Sequence, residues 1–222
     1  MSKSSLTVEE TKDMFIFVSE KMKESKDRLT EADKAIGDGD HGIGMNRGFE
    51  AVLQKLKEQS FETLGALFKT IGITLMESIG GAAGAVFGTL FIGGAQNLGG
   101  KDQLDSESLS LILQDGLQAI KKRGKAKPGD KTMVDALEPA SLKSTEMASA
   151  PLSEALKTIT EQAKLGMEKT KDMVATVGKA KTLGERSLGY PDPGSVSTYL
   201  LFNFMMQFLQ SFEEKASDRQ KN

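Results

Sequence analysis

The helical spacing of apolar residues is the feature that most limits how this 222-residue chain can fold. Phe15, Val18 and Met22 share one face of a helix, whereas no stretch alternates apolar and polar residues as a half-buried strand does. The same spacing marks seven further segments, at about 45–56, 64–75, 86–91, 109–120, 133–137, 156–177 and 199–212. The sequence therefore predicts an all-α fold, a bundle or barrel of eight antiparallel helices.

Length and composition favour a single domain over residues 1–222. A chain of this size can bury one large core, and neither an internal repeat nor a linker interrupts it. The N-terminal MSKSSLTVEE lacks the apolar segment of a signal peptide. We expect frayed ends at about 1–5 and 216–222, because both are polar.

Charge and residue counts exclude several classes of function. With 29 Lys and Arg against 31 Asp and Glu, the net charge of -2 gives no reason to expect a nucleic-acid-binding protein, whose surface is basic. One histidine and no cysteine exclude a multi-histidine metal centre, a zinc–thiolate site and a cysteine nucleophile. Any catalysis must therefore use carboxylates, hydroxyl or basic groups, backbone amides and hard metal ions.

The uncharged stretch Ser78–Gly100 raises the question of a membrane span. It contains eight glycines, and its strongly apolar residues cluster between Val86 and Ile92. A spanning helix needs about 20 predominantly apolar residues. We therefore predict a buried helix here, no membrane partner and a cytoplasmic protein.

Four loops rich in glycine, aspartate or basic residues follow the first, third, fifth and seventh predicted helices. In an up-and-down arrangement, alternate connections lie at the same end of the bundle. The loops are therefore expected to meet and form a site there; they cover residues 37–42, 80–84, 123–131 and 191–194.

The first loop, Gly37-Asp-Gly-Asp-His-Gly42, matches a dinucleotide-binding glycine pattern, but it follows a helical segment instead of a strand. Twelve residues counted from Asp38 do not end in glutamate, which excludes an EF-hand. Asp33, Asp38 and Asp40 instead suit a hard cation such as Mg²⁺ that shares its oxygen ligands with phosphates. An acidic turn that caps a helix is the alternative. His41 is either structural or a contact for a nucleotide or phosphate.

The remaining loops are individually ambiguous. The glycine turn at 80–84 could present helix N–H groups to an anion, or its glycines could only allow close helix packing. The basic segment 123–131 could attract phosphates or be simply solvated, and 191–194 reads as a rigid turn. Together they favour a magnesium–nucleotide site at one end.

Several of these strings resemble the L subunit, the nucleotide-binding subunit, of dihydroxyacetone kinases. The matching strings are AIGDGDHG at 35–42, GGAAG at 80–84, RGKAKPGDKTMVD at 123–135, LGERS at 183–187 and DPG at 192–194. They span nearly the whole chain in the family's order. The resemblance implies a barrel of eight antiparallel helices that holds ADP or ATP with two Mg²⁺ at one end.

The resemblance also implies residue roles. The metal ligands would be Asp33, Asp38 and Asp40. The nucleotide would be contacted by His41, Gly42, Ile43, Gly44, Ala82, Ala83, Gly124, Met133, Lys179, Asp192, Pro193 and Gly194. Two positions depart from the family pattern: Ala83 replaces a common serine, and Lys179 replaces a common arginine, which keeps the charge without the two-pronged donor.

The implied activity is phosphoryl transfer from Mg-bound ATP to dihydroxyacetone, active only with partner subunits. A K subunit would hold the sugar, and a phosphocarrier M subunit driven by phosphoenolpyruvate would rephosphorylate the bound ADP. Two alternatives stay open: an ATP-dependent kinase subunit for another short ketose, and a non-catalytic, nucleotide-dependent regulatory module. Two copies could associate through the phenylalanine-rich last helix.

Overall fold

Nine α-helices make up most of the described part of the chain, residues 3–219 of a computed structural model. Two three-residue strands, β1 (Ser5–Thr7) and β2 (Gln103–Asp105), form an antiparallel pair, and 3-10 turns cover Thr170–Asp172 and Lys179–Ser187. The helices are α1 (Val8–Glu24), α2 (Lys26–Lys34), α3 (His41–Glu58), α4 (Leu64–Ile79), α5 (Gly81–Gly94), α6 (Ser106–Gly124), α7 (Met133–Glu146), α8 (Leu152–Lys169) and α9 (Pro193–Arg219).

The long helices form a closed ring around one apolar core. From α3 onward each helix packs on the next along the chain, and α1 packs on both α3 and α9. Fully buried aromatic rings fill the centre, among them Phe15 and Phe68, which meet edge to face with ring centroids 5.2 Å apart. The predicted all-α barrel is confirmed. Among the described residues, no helix is both long and apolar enough to cross a bilayer.

The helix count differs from the prediction at one point. The segment before the aspartate loop is a separate helix, α2, because the chain leaves helical geometry at Ser25 (φ -82°, ψ 2°). Its buried side chains include Leu29 and Asp33. The eight predicted helices thus correspond to α1 and α3–α9, and α2 continues α1 towards the site.

The seventh predicted helix is shorter than its apolar pattern indicated. It ends at Lys169, and Val174 and Val177, which seemed to continue its apolar face, lie in an irregular segment. Val174 is exposed and Val177 lines a cavity. Spacing alone could not show this, because two isolated valines match a helix by chance.

The predicted frayed ends also need correction. Ser5 pairs with Asp105, and the Lys3 carbonyl accepts a hydrogen bond from the Ser153 amide (3.2 Å), so the start of the chain is held down. At the other end, α9 remains helical to Arg219. The rest of the predicted fraying, at residues 1–2 and 220–222, lies outside the described residues.

Close helix contacts at glycines set the position of the aspartate loop. A Cβ on Gly42 would lie 2.3 Å from the Lys26 carbonyl oxygen, so only glycine lets the start of α3 touch α2. A Cβ on Gly88 would lie 2.6 Å from the Met76 Cβ, and the same requirement therefore holds between α4 and α5. These contacts fix α2 against α3 and α4 against α5 near the site.

Candidate functional site

A cavity of about 630 Å³ lies at the end of the barrel where the four loops meet. Its size is typical of small-ligand sites. Each loop contributes to the wall, for example through Asp40, Ala82, Ala126 and Pro193. The convergence expected from the order of the helices is therefore observed.

Four helices begin at this cavity: α3, α5, α7 and α9. Their N-termini carry partial positive charge and unpaired backbone N–H groups. Within residues 3–219, neither Asp40 before α3 nor Gly80 before α5 caps its helix through a side chain, although Asp33 accepts from the first amide of α3. At α7 and α9, by contrast, Thr132 accepts from the Val134 amide and Asp192 from the Ser195 amide (2.7 Å). The two uncapped starts are therefore open to an anion such as phosphate.

Three aspartates stand at the first of these helix starts. Carboxylate oxygens of Asp33, Asp38 and Asp40 lie within 4.8 Å of one another, and among the described residues no other such acidic or histidine cluster is present. Asp33 is buried and accepts a hydrogen bond from the His41 amide (3.1 Å), whereas Asp38 and Asp40 are exposed. One fixed and two accessible carboxylates at a cavity rim suit an oxygen-ligated cation.

Lys179 reaches this cluster from a different part of the chain. Its Nζ donates to Asp38 Oδ2 (2.5 Å) and to Asp40 Oδ2 (3.0 Å). The hydrogen bond from Lys179 lowers the pKa of Asp38, and the same contacts raise the pKa of Lys179. The predicted metal ligands are thus paired with an ammonium group.

His41 is used structurally through its ring. The buried ring lies beside Phe87, with Nε2 2.7 Å from Ser197 Oγ, and burial lowers its pKa. Its backbone amide holds Asp33 in place. The residue thus supports the aspartate cluster and also forms part of the cavity wall.

The glycine turn before α5 has backbone geometry that few other residues adopt. Gly80 has φ 77° and ψ 170°, a region occupied almost only by glycine, and Gly81 has φ 57°. Arg47 on α3 donates to the Ser78 and Ile79 carbonyls beside this turn. The turn therefore leads directly into the uncapped start of α5, with Ala82 and Ala83 at the cavity wall.

A buried lysine that the sequence did not single out organises another part of the cavity wall. Lys131 Nζ donates to the carbonyls of Thr170 (2.5 Å) and Tyr190 (2.6 Å), and burial lowers its pKa. Nearby, burial raises the pKa of Asp192 to about 7. Lys131 therefore donates to backbone carbonyls of this chain. This differs from the expectation that the basic segment 123–131 could attract phosphates.

Most of the predicted site residues come together. The cavity is lined by Asp33, Asp40, His41, Ile43, Gly44, Ala82, Ala83, Gly124, Met133, Lys179, Asp192, Pro193 and Gly194. Asp38 joins them through Asp40 and Lys179. Gly42 differs, since its Cα faces α2 and not the cavity.

Sequence reasoning missed the apolar half of the wall, formed by residues such as Ile36, Val86, Phe87 and Ile120. It also missed Arg47, whose position two turns after the aspartate loop was the available signal.

The fold and the site together define a class of domain. It is an all-helical barrel in which clustered carboxylates and uncapped helix starts meet at one cavity. The DAK2 domain model matches residues 35–207, and the chain belongs to this family.

Two similar proteins are both named as ADP-binding subunits of PEP-dependent dihydroxyacetone kinases. The chain is 42% identical to the ADP-binding subunit DhaL of the PEP-dependent dihydroxyacetone kinase of Escherichia coli, over 82% of this chain and 85% of that protein. It is 40% identical to the corresponding subunit of kinase 1 of Listeria innocua, over 85% and 90% of the two chains.

Among solved structures, the fold is similar to the dihydroxyacetone kinase of C. freundii in complex with AMP-PNP and Mg²⁺. The TM-score is 0.69 at 26% identity, and the match covers 88% of this chain and 33% of that one. The chain thus spans about a third of that kinase.

Proposed function

We propose that this chain is the nucleotide-binding subunit of a phosphoenolpyruvate-driven dihydroxyacetone kinase, and that it carries Mg-bound ADP or ATP. The observation that carries the proposal is the cluster of Asp33, Asp38 and Asp40 at the rim of a cavity where two helix starts are uncapped. Family membership, and relatives of nearly the same length that are named as ADP-binding subunits, support it.

The donor set fits magnesium. Mg²⁺ prefers carboxylate and phosphate oxygens, and three carboxylates within 4.8 Å of one another offer only oxygen ligands. Asp33, Asp38 and Asp40 would hold the metal, and the resemblance to the family implies two ions. Bound Mg²⁺ would neutralise the charge on the transferring phosphoryl group.

The two halves of the cavity suit the two halves of a nucleotide. In the stretches His41–Gly44 and Ala82–Ala83, the backbone amides of Gly42 and Ile43 on α3 and of Ala82 and Ala83 on α5 would donate to phosphate oxygens, whereas the His41 and Gly44 amides already donate to Asp33 and to the Asp40 carbonyl. Gly124, Met133 and the turn Asp192–Gly194 lie on the wall formed by the later loops. They would hold the base and close the pocket over it.

The chain's own groups bind and orient instead of attacking a substrate. The single histidine is buried against Ser197, and the chain contains no cysteine. We therefore propose that a K subunit supplies the bound dihydroxyacetone and that an M subunit rephosphorylates the retained ADP. The positioned phosphates and Lys179 would then align the transfer.

A second candidate acceptor is another short ketose with free ATP as the donor. It is favoured by a 33% identical relative named L-erythrulose kinase, although the chain covers only 33% of that protein.

Reconstitution with the K subunit separates the candidates. We expect transfer to dihydroxyacetone when phosphoenolpyruvate and the M-subunit relay are present, with ADP retained on this chain. Turnover of erythrulose with free ATP alone would favour the second candidate. Nucleotide binding without any transfer would leave only a regulatory module.

Self-association through α9 remains a prediction. Phe202 and Phe204 are buried within this chain, and the Phe208 ring lies 6.0 Å from that of Phe17. Much of the aromatic surface of α9 is therefore already used inside the barrel. Light scattering at several concentrations would show whether two copies associate.

A further inference from the structure

Lys179 stands at the tip of a loop that leaves the barrel after α8 and returns before α9. The partners of its ammonium group, Asp38 and Asp40, lie 141 and 139 residues away in sequence. The loop covers residues 171–189 and also contributes Val177 and Ala180 to the cavity wall. Its tip therefore lines the cavity and contacts the aspartate cluster.

The neck of this loop is closed by three sets of hydrogen bonds. The Gly189 amide donates to the Lys171 carbonyl (2.8 Å), and the Asp192 amide donates to Thr170 Oγ1 (2.9 Å). Lys131 joins both ends through the Thr170 and Tyr190 carbonyls. Because the neck is fixed, Lys179 remains close to the carboxylates even when its own contacts break, which gives it a high effective concentration there.

The contacts at the tip are of the exchangeable kind. The side chain of Lys179 is 59% exposed, and those of Asp38 and Asp40 are 53% and 69% exposed. Exposed ion pairs contribute little net stability, because water solvates the separated charges well. The fixed neck and the solvated tip together allow the ammonium to move without unfolding the loop.

The ammonium occupies the oxygens that a bound cation would need. It contacts Oδ2 of both exposed aspartates, the two members of the cluster that are accessible from the cavity rim. A metal ion bound through these oxygens would have to displace the ammonium. Phosphate oxygens brought in with the metal would offer the displaced ammonium a new partner at the same place.

We propose that Lys179 is an exchangeable internal cation. It pairs with Asp38 and Asp40 until a metal–nucleotide complex binds, and it then transfers to phosphate oxygens. It therefore disfavours binding of the metal alone and favours binding of metal and nucleotide together. This inference rests on the proposed nucleotide-binding function and adds an order of assembly to it.

The test compares Lys179→Met, Lys179→Arg and a matched control, Lys181→Met, which removes an exposed lysine two residues further along the same loop. One titration uses Mn²⁺ alone and follows the electron paramagnetic resonance signal of the free ion. The other uses ADP at saturating Mg²⁺ and is followed by calorimetry. Both measure binding, so neither depends on turnover or on partner subunits.

We expect Lys179→Met to change the two affinities in opposite directions. Mn²⁺ alone should bind about three- to tenfold more tightly, because a competing cation is lost. ADP with Mg²⁺ should bind about tenfold more weakly, because a charge-assisted contact to phosphate is lost. Lys179→Arg should retain both wild-type affinities within about threefold, and Lys181→Met should leave both unchanged.

Changes in the same direction, or no change in Mn²⁺ affinity, would overturn the inference while wild-type ADP binding keeps the proposed function intact. A wild-type chain that binds no ADP would instead overturn the proposed function. The same pair of opposite changes in Lys181→Met would assign the effect to general loop charge and contradict the role of Lys179.

Discussion

The two ends of the barrel treat their helix starts differently. At the end opposite the cavity, Thr7 caps α1, Thr63 caps α4 and Asp105 caps α6, each through a side-chain oxygen, and only α8, after Pro151, starts without such a bond among the described helices there. At the cavity, α3 and α5 begin at Asp40 and Gly80 without side-chain caps within residues 3–219.

This difference shows what the fold does for stability and what it leaves for a ligand. A side-chain cap satisfies backbone N–H groups and stabilises a helix by about 1 kcal/mol. At α3 and α5 the same groups face a cavity with carboxylates at its rim. The barrel is thus closed largely by its own side chains at one end, and under the proposed function metal and phosphate would complete it at the other.

The largest effect at the cavity end is expected from removing the exposed carboxylates. The double variant Asp38→Asn/Asp40→Asn should lose at least about 100-fold in ADP affinity at saturating Mg²⁺, because the metal that binds the phosphates loses two of its ligands. Its thermal unfolding should barely change, since both side chains are exposed. Asp102→Asn, an exposed aspartate at the opposite end, is the control and should bind normally; equal ADP affinity in all three proteins would remove the metal assignment.

The capped helix starts at the cavity can be probed through pH. Asp192 has a pKa of about 7 in the folded chain against 3.8 as an isolated group, so the folded state binds its proton more tightly. The free energy of unfolding should therefore fall by about 3 kcal/mol as the pH rises from 5 to 8. The cause is burial near Asp135, only partly offset by Ser195 and Lys131.

Asp192→Asn keeps a capping side chain but cannot titrate, so urea unfolding of this variant should show a flatter pH profile over that range. Parallel profiles for the two proteins would mean that Asp192 does not titrate in this window.

A change at the neck of the loop at 171–189 tests whether the stability of the cavity end depends on buried polar contacts. Lys131→Met removes a buried ammonium and leaves the Thr170 and Tyr190 carbonyls without this donor. We expect a loss of about 2 kcal/mol in unfolding free energy and faster hydrogen exchange across residues 171–189. Lys122→Met, which changes an exposed lysine on α6, should do neither. Unchanged exchange in Lys131→Met would show that other contacts hold the neck.

Smaller effects are expected from changing one helix start at each end of the barrel. Thr63→Ala should cost about 1 kcal/mol of stability with no effect on ADP binding, because it removes a cap remote from the cavity. Gly80→Ala should cost a similar amount through backbone strain and also weaken ADP binding several-fold, because it distorts the start of α5. Denaturant unfolding and calorimetry would measure both. Equal ADP affinity in the two variants would mean that α5 does not hold phosphate.

The helical periodicity predicted the barrel and the shared end of the four loops, because the order of antiparallel helices fixes which connections are neighbours. It did not predict the break at Ser25 or the early end of α8, because both depend on tertiary contacts and not on spacing. The two short strands were also missed, since three-residue segments carry almost no periodicity.

The part of the site whose chemistry follows directly from residue types could be predicted. Asp33, Asp38 and Asp40 stood out because three aspartates interleave with glycines, and the structure brings them together. The burial of Lys131 and Asp192 could not be predicted, because their sequence neighbourhoods are polar and their partners come from distant segments. The contact of Lys179 with the aspartates likewise joins positions 141 residues apart.

The most direct test of the central claim is a calorimetric titration of the wild-type chain with ADP, with and without Mg²⁺. We expect one tight ADP site per chain in the presence of Mg²⁺. Removal of the metal by chelation should lower the ADP affinity by at least about 100-fold. Binding that is equally strong without divalent metal, or no binding under either condition, would contradict this claim.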